Sequence, residues 1–491
     1  MKRVFFFAVT VCLVAANASG HVGSPDVFYE GVAGPYRLLV TVRIPQMIPG
    51  VAQIEAQVLD GSVNGIQIVP LRVVGEGSET APPSDRMERS AAEAQFFTGK
   101  LWLMESGAFQ VRMDIDGQQG KAKLSVPVAA FAQRTLRMQK TTGALLAVLM
   151  TFLGLSLISI IGAAVRESQL APGQEVPPKK RFGARAAMAG AALTVLAVLF
   201  LGNMWWNSVA SANARDMVYK PPPIHASITG GNQLVLKIGS SYWHELRKSE
   251  QLDRIIPDHG HLMHLFLVRV PELDLFFHLH PEQTGATEFA EVLPTVPAGA
   301  YAVFADIVRE SGFPDTMTTQ VMVPKALTEG DGKPLLGDDS ETEATSVSSS
   351  EPRTTAPLSG GGHVEWIASG LAIHALRPAL LRFRIVEKTG HPAADLEPYM
   401  GMAGHLVILR RDLSVFAHVH PAGSVPMAAL ALLEEASDGN MNSMPGMLAK
   451  GSPTEITFPY GFPQPGDYRL FLQVKRSGRV ETAVFDTHVV P

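Results

Sequence analysis

The chain has 491 residues, with 41 Lys and Arg against 46 Asp and Glu, for a formal net charge of −5. That length exceeds one hydrophobic core, so three or four folded units are expected. The charge balance leaves no electrostatic footprint for a nucleic-acid partner. Hydrophobic residues make up 46% and charged residues only 18%, a bias that points to membrane segments.

Lys2 and Arg3 open the chain, residues 4–16 are apolar, and Ala16-Asn17-Ala18 is a small-residue cleavage site. Residues 1–18 are therefore expected to be a signal peptide. They contain Cys12, the only cysteine. A mature exported chain would then have no disulfide, thiolate ligand or cysteine nucleophile. Cleavage after Ala18 would leave Ser19-Gly20-His21, a free amine with a third-position histidine able to wrap Cu(II) or Ni(II).

Residues 21–132 carry short β-branched and aromatic runs at 36–44, 53–59, 66–73, 94–103 and 107–115, punctuated by Gly and Pro. An immunoglobulin-like β-sandwich is expected there. Residues 143–165 and 186–206 are uncharged and long enough to be transmembrane helices. The connection at 166–185 holds Arg166, Lys179, Lys180, Arg181 and Arg185 against Glu167 and Glu175. That excess places it in the cytoplasm and sets Trp205 and Trp206 at the far interface. Arg134, Arg137 and Lys140 argue the other way, but the signal peptide outweighs them. Both flanking regions would then lie on the periplasmic or extracytoplasmic side of a bacterial cytoplasmic membrane.

Pro221-Pro222-Pro223 makes a stiff exit from the second helix. Residues 221–324 and 363–491 then show the same order of features, an internal duplication of β-sandwich type. We call these repeats A and B. Residues 325–362, rich in Ser, Thr, Gly, Pro and acids, are expected to be a disordered linker. The fold class expected is thus mainly β with two transmembrane helices, an N-terminal sandwich and two tandem sandwich repeats.

Each repeat has a histidine opening an apolar run (His264, His405) and an H-x-H-P ending (His278 and His280, His418 and His420). Alternate strand positions share a face, so each H-x-H sets two imidazoles side by side. The upstream histidine sits at the distance of a neighbouring antiparallel strand. Three convergent imidazoles suit a transition metal. Aligning the repeats puts His259 opposite Met400 and His261 opposite Met402. Imidazole-for-thioether exchange favours copper, with zinc or nickel as alternatives. Repeat B also inserts Met441, Met444 and Met447 in a Gly- and Asn-rich stretch. Soft-metal capture, a flexible apolar contact and unselected drift all account for such a string. Asp274 and Asp412 precede the H-x-H pairs and could orient them. The plainer alternative is that the histidines bond carbonyls or carboxylates and the prolines only end strands.

The G-H…F-x-H-x-H-P pattern with a later G-x-Y-x-x-F (Gly299, Tyr301, Phe304; Gly466, Tyr468, Phe471) resembles exported bacterial YtkA-like and cupredoxin-related β-sandwich domains. The resemblance covers both repeats and implies copper or heavy-metal handling, with His264, His278, His280, His405, His418 and His420 as ligands. Without cysteine, a His₂Cys blue-copper centre is excluded. No nucleophile elbow, zincin helix, phosphate loop or dinucleotide fingerprint is present. Three readings stay open: metal buffering, delivery or sensing with a metal exporter or metallochaperone as partner; a metal-free interaction scaffold at the bilayer; and a metal-dependent enzyme.

Overall fold

The computed structural model describes residues 25–75, 77, 80–136, 138–171, 173–247, 254–327, 335, 337–343, 354–367, 372–435 and 455–491. The signal-peptide segment and Met441, Met444 and Met447 lie outside the described residues. The fold is mainly β, with two long apolar helices.

The N-terminal unit is a sandwich of two antiparallel sheets. One runs Val27–Ala33, Tyr36–Arg43, Gly50–Asp60, Phe96–Leu103, Glu88–Arg89; the other runs Asp85–Arg86, Val63–Arg72, Gly107–Gly117, Gly120–Ala130. Gly50–Asp60 shows why: Ala52, Ile54, Ala56 and Val58 are buried while Gln53 and Gln57 face solvent, the alternation of a half-buried strand. The runs expected from sequence fall on these strands. Val27–Ala33, Gly120–Ala130 and the short strands Asp85–Arg86 and Glu88–Arg89 add four more.

Helix α1 is Lys140–Glu167 and helix α2 is Pro178–Met217. Both are long and apolar enough to cross a membrane. Half of the stretch expected to be a loop at 166–185 is helix end. Pro178 opens α2 at a position where its missing N–H costs nothing, so Lys179, Lys180, Arg181 and Arg185 sit in the first turns of α2. Its 40 residues also run past Trp206. At about 1.5 Å per residue the helix outreaches a hydrocarbon core. The chain leaving it is caught at once: Tyr219 N–H donates to Ala132 O at 2.9 Å, and its hydroxyl donates to buried Asp315 at 2.6 Å.

Repeats A and B are each built from two sheets. In repeat A, His264–Val270 lies between Leu275–Leu279 and Gly299–Arg309; in repeat B, His405–Arg410 lies between Phe416–Val419 and Gly466–Arg476. The duplication extends to backbone detail. Asp258-His259-Gly260-His261 and Tyr399-Met400-Gly401-Met402 are the same tight turn, each closed by a reciprocal pair of hydrogen bonds. Its two central residues have positive φ (53° and 87°; 49° and 82°), which the glycine at the second position tolerates without strain. Tyr301 and Tyr468 also match, each hydroxyl donating to a carbonyl four residues upstream (Pro297 O, 2.9 Å; Gln464 O, 2.7 Å).

Part of the stretch expected to be a disordered linker is ordered strand. Ser340–Glu343 pairs with Leu275–Leu279, and Thr355–Pro357 pairs with His363–Trp366. The acidic, Ser-rich composition had hidden an edge strand that borrows its register from a hydrophobic neighbour.

The two histidine-bearing sheets pack against each other through their outer faces. Leu265, Leu267, Phe277 and Leu279 point into the core of repeat A, while Phe266, Val268 and Phe276 meet Val407, Leu409, Phe416 and Phe471 of repeat B. A strand buried on both faces carries no polar alternation, which explains the unbroken HLFLV and HLVIL runs. The interface has approximate twofold symmetry. Phe276 stacks on Phe471 and Phe304 on Phe416, both at 4.3 Å between centroids. Arg469, wholly buried with Asp486, donates to Leu273 O across the same interface at 2.7 Å. Repeat B also holds the N-terminal sandwich, where Glu30 N–H donates to Ala422 O and Ser424 N–H to Phe28 O.

Truncating a buried aromatic costs about 3–5 kcal/mol. Phe471→Ala is therefore expected to lower the melting temperature of the full chain in detergent micelles by several degrees. Trp102→Ala, at a side chain 61% exposed, should change it little. Equal effects would contradict the interface described.

Candidate metal centre

Eight histidines meet at one end of the inter-repeat interface. His264, His278 and His280 come from repeat A as expected, and His405, His418 and His420 from repeat B. The tight turn of repeat A adds His259 and His261. Neighbouring ring centroids stand 3.8–6.0 Å apart in one continuous cluster. Two triads bring one nitrogen each within 4.8 Å of one another: His264, His278 and His280, and His259, His405 and His420. The second triad corrects the expectation of one ligand set per repeat. Its third member is His259 from the partner repeat, and His418 stands between the sets.

The chain around each ring decides which nitrogen faces inward. A backbone carbonyl only accepts, so a ring nitrogen bonded to one must carry the proton. His259 Nδ1 donates to Met400 O at 2.9 Å and His420 Nδ1 to Val425 O at 3.3 Å. Their Nε2 atoms face each other at 3.1 Å; in neutral rings both carry lone pairs. The first triad repeats the pattern. His264 Nε2 donates to Asp258 O at 3.1 Å, which leaves Nδ1 bare, 3.2 Å from His278 Nε2. The Tyr399 hydroxyl gives its proton to Asp338 O. His278 Nδ1 thus donates to Tyr399 Oη at 3.1 Å and to Gln473 Oε1 at 2.9 Å. His280 Nδ1 donates to Asp339 Oδ1 at 2.9 Å, and its Nε2 has no partner among the described residues. Both nitrogens of His405 and Nε2 of His418 also lack one.

These rings are held neutral. Burial pushes the imidazoles of His264, His278, His405, His418 and His420 well below 6.5, and those of His259 and His280 below it. Mutual repulsion among the rings adds to burial throughout the cluster. Two lone pairs facing at 3.1 Å repel, and an unpartnered buried nitrogen costs about 1–3 kcal/mol. Two nitrogens bound to one ion at about 2.0–2.1 Å and angles of about 90–110° stand about 2.8–3.4 Å apart. The contacts at 3.1 and 3.2 Å fall in that range. Neutral nitrogen donors of this kind suit copper, zinc and nickel.

Carboxylates stand outside the rings. Asp338 accepts from His261 at 3.5 Å and from Lys475 at 3.1 Å, and its carboxyl is pulled down to about 2, chiefly by the His261 bond. Asp306 faces His418 at 3.7 Å and burial pushes its carboxyl up to about 7. Here too the symmetry shows: Asp306 pairs with His264 and Gln473 with His405 in register, and each touches the other repeat's H-x-H. The orienting groups are therefore not Asp274 and Asp412. Those residues bind Arg269 and, for Asp412, Arg410 and Ser414. Asp338 and Asp339 were missed because they lie in the acidic stretch; an acidic pair just before an ordered edge strand was the available signal.

The thioether expectation fares differently at its two described positions. Met400 offers its carbonyl to His259. Met402 is buried in an apolar cluster with Ala422, Val425, Met427 and N-terminal core residues, so packing accounts for its apolar side chain.

Comparison with known proteins adds one family and remote structural likenesses. The family model described as Domain of unknown function (DUF8832) matches residues 360–490, which is repeat B. No curated protein matches the chain. Among solved structures, an engineered protein is 13% identical over 20% of this chain with a TM-score of 0.16; the chain spans 21% of that protein. A bacterial ice-binding adhesin involved in host cell surface retention is 7% identical over 92% of this chain and 98% of its own, TM-score 0.15. A protein from Corynebacterium diphtheriae described as membrane anchored is 10% identical over 95% and 96%, TM-score 0.15. Likenesses at these TM-scores transfer no activity.

A buried imidazole with a depressed pKa adds nothing above 6.5, where folded and unfolded forms are both neutral. As pH falls below 6.5 the unfolded chain takes up protons that the fold refuses, and stability drops by up to about 1.4 kcal/mol per pH unit for each ring. Asp306, Asp258, Asp26, Glu30, Glu341 and Glu434, whose pKa values are raised by burial, act in the opposite sense but are fewer than the seven depressed rings. Metal-free protein should therefore melt at a nearly constant temperature from pH 7.5 to 6.5 and at steadily lower temperatures towards pH 5. A melting temperature that holds or rises on acidification would contradict the neutral, buried cluster.

Proposed function

We propose that this chain is a membrane-anchored, extracytoplasmic protein that binds a transition metal, copper before zinc or nickel, in the chamber between its two repeats. The observation that carries this reading is the convergence of lone pairs. Backbone carbonyls, Asp339 and Tyr399 each hold the proton of a ring on its outer side, so that bare nitrogens meet at 3.1 and 3.2 Å. Structural histidines would be expected to satisfy both nitrogens. The carbonyl and carboxylate partners are those that orient metal-bound imidazole. Because the rings are already neutral, binding near pH 7 need displace few protons.

The anchor reading rests on α1 and α2. Two spans return the chain to the side it left, and the N-terminal sandwich packs on repeat B through Glu30, Phe28, Ala422 and Ser424, as a common side requires. The basic first turns of α2 favour a cytoplasmic connection. An enclosed all-imidazole chamber suits retention, hence buffering or delivery to a metal exporter or metallochaperone. Met441, Met444 and Met447 would serve as a softer outer capture site for Cu(I).

Full-length protein in detergent micelles, titrated with Cu(I), Cu(II) or Zn(II) and desalted, should retain metal in a fixed ratio. The His278→Ala/His280→Ala variant should lose the metal held by that triad, half or more of the wild-type amount, while remaining folded. In the same titration, deleting residues 441–447 should weaken Cu(I) uptake and spare Cu(II). A folded wild-type chain that keeps none of copper, zinc or nickel would leave the histidines structural and favour the scaffold reading.

A further inference from the structure

We infer, resting on the metal-binding reading above, that the chamber takes a pair of ions rather than one, held as a coupled dinuclear centre that straddles the two repeats. Eight imidazoles exceed the nitrogen demand of any single first-row ion, which takes four in tetrahedral or tetragonal sites. Six of them divide without overlap into two triads, each complete by the criterion of mutual ligand distance, with His261 and His418 outside both. Each triad contains its own close pair of bare nitrogens, His264 Nδ1 with His278 Nε2 and His259 Nε2 with His420 Nε2. The two contacts lie in separate ligand groups, each gathered within 4.8 Å on its own, so each calls for its own ion.

The triads adjoin. His259 of one and His264 of the other are 6.0 Å apart between centroids. His418 belongs to neither triad and lies between them, 5.3 Å from His264, 5.3 Å from His405, 4.6 Å from His420 and 5.7 Å from His278. Its side chain is 6% exposed, its Nε2 has no partner among the described residues, and its Nδ1 faces Asp306. That is the place of a shared or fourth ligand, and the plainer role of filling space does not explain a bare nitrogen there. The membership of the second triad follows the same logic. By symmetry with His264, His278 and His280, the third member from repeat B would be His418; the second triad takes His259 instead, reaching across the interface and anchored on Met400 O. The second site is thus incomplete in repeat B alone.

Charge sets the form of the pair. Two monovalent ions repel a quarter as strongly as two divalent ones at equal spacing, so neutral rings accommodate two Cu(I) directly. Two Cu(II) ions require an anionic bridge such as hydroxide, with Asp306 and Asp258 nearby as further negative charge.

The test is a count combined with a spin measurement on the full-length protein in micelles. Copper retained after desalting, read by native mass spectrometry, is expected to be two per chain in the wild type and one in His259→Ala. When loaded with Cu(II), the wild type should show fewer than two spins per chain by electron paramagnetic resonance, or a half-field transition. One copper in the wild type would overturn the pair and leave metal binding standing. Two coppers with two full, uncoupled spins would overturn the shared centre. Two coppers kept by His259→Ala would overturn the cross-repeat triad. No copper, zinc or nickel at all would overturn the metal reading itself.

Discussion

The constraint on which the structure turns is that one sheet of each repeat is buried on both faces. Each must bury its inner face in its own sandwich and its outer face against the other repeat. Paired Phe276–Phe471 and Phe304–Phe416 stacks, Val268, Val407 and Leu409 fill one end of that contact. At the other end the same strands present histidine. Once those rings are desolvated, the charged forms are excluded, and each needs a proton acceptor on one side and something electron-poor on the other. The arrangement of Asp258, Met400, Val425, Asp339 and Tyr399 around the cluster meets the first need for His264, His259, His420, His280 and His278, and it leaves the second pointing inward.

Duplication explains how such a chamber arises from one motif. The two turns, the two tyrosine hydroxyl bonds and the two aromatic stacks are related by the same approximate twofold axis, and so are the Asp306 and Gln473 positions that face His418 and His278. Symmetry is broken where repeat B carries Met400 and Met402. One of these positions lends a carbonyl to the facing histidine; the other packs beneath the N-terminal sandwich. The divergence of the two turns is therefore tied to the third domain as much as to ligand chemistry.

Much of this could be read in the sequence, because strand periodicity is local. The H-x-H faces, the upstream histidine on an adjacent strand, the pairing of His259 with Met400 and of His261 with Met402, and the two long apolar helices all follow from spacing. What could not be read depends on how the repeats face one another. No periodicity tells that His259 completes the set of His405 and His420, or that His418 stands between sets. Asp338, Asp339 and the strand Ser340–Glu343 escaped because composition alone classed them with a linker, while their order is imposed by the edge of Leu275–Leu279. The length of α2 escaped because its ends are polar and Gly- or Asn-containing, and its continuation depends on docking at Tyr219.

The most direct test of the central claim, that neutral imidazoles supply the metal's whole protein coordination in the chamber, is X-ray absorption at the copper edge of the Cu(II)-loaded, desalted full-length protein. The expected spectrum shows a nitrogen shell at about 2.0 Å, by analogy with metal–imidazole distances, with the outer scattering of imidazole rings and no sulfur. A sulfur shell near about 2.3 Å, or a light-atom shell without imidazole scattering, would contradict it.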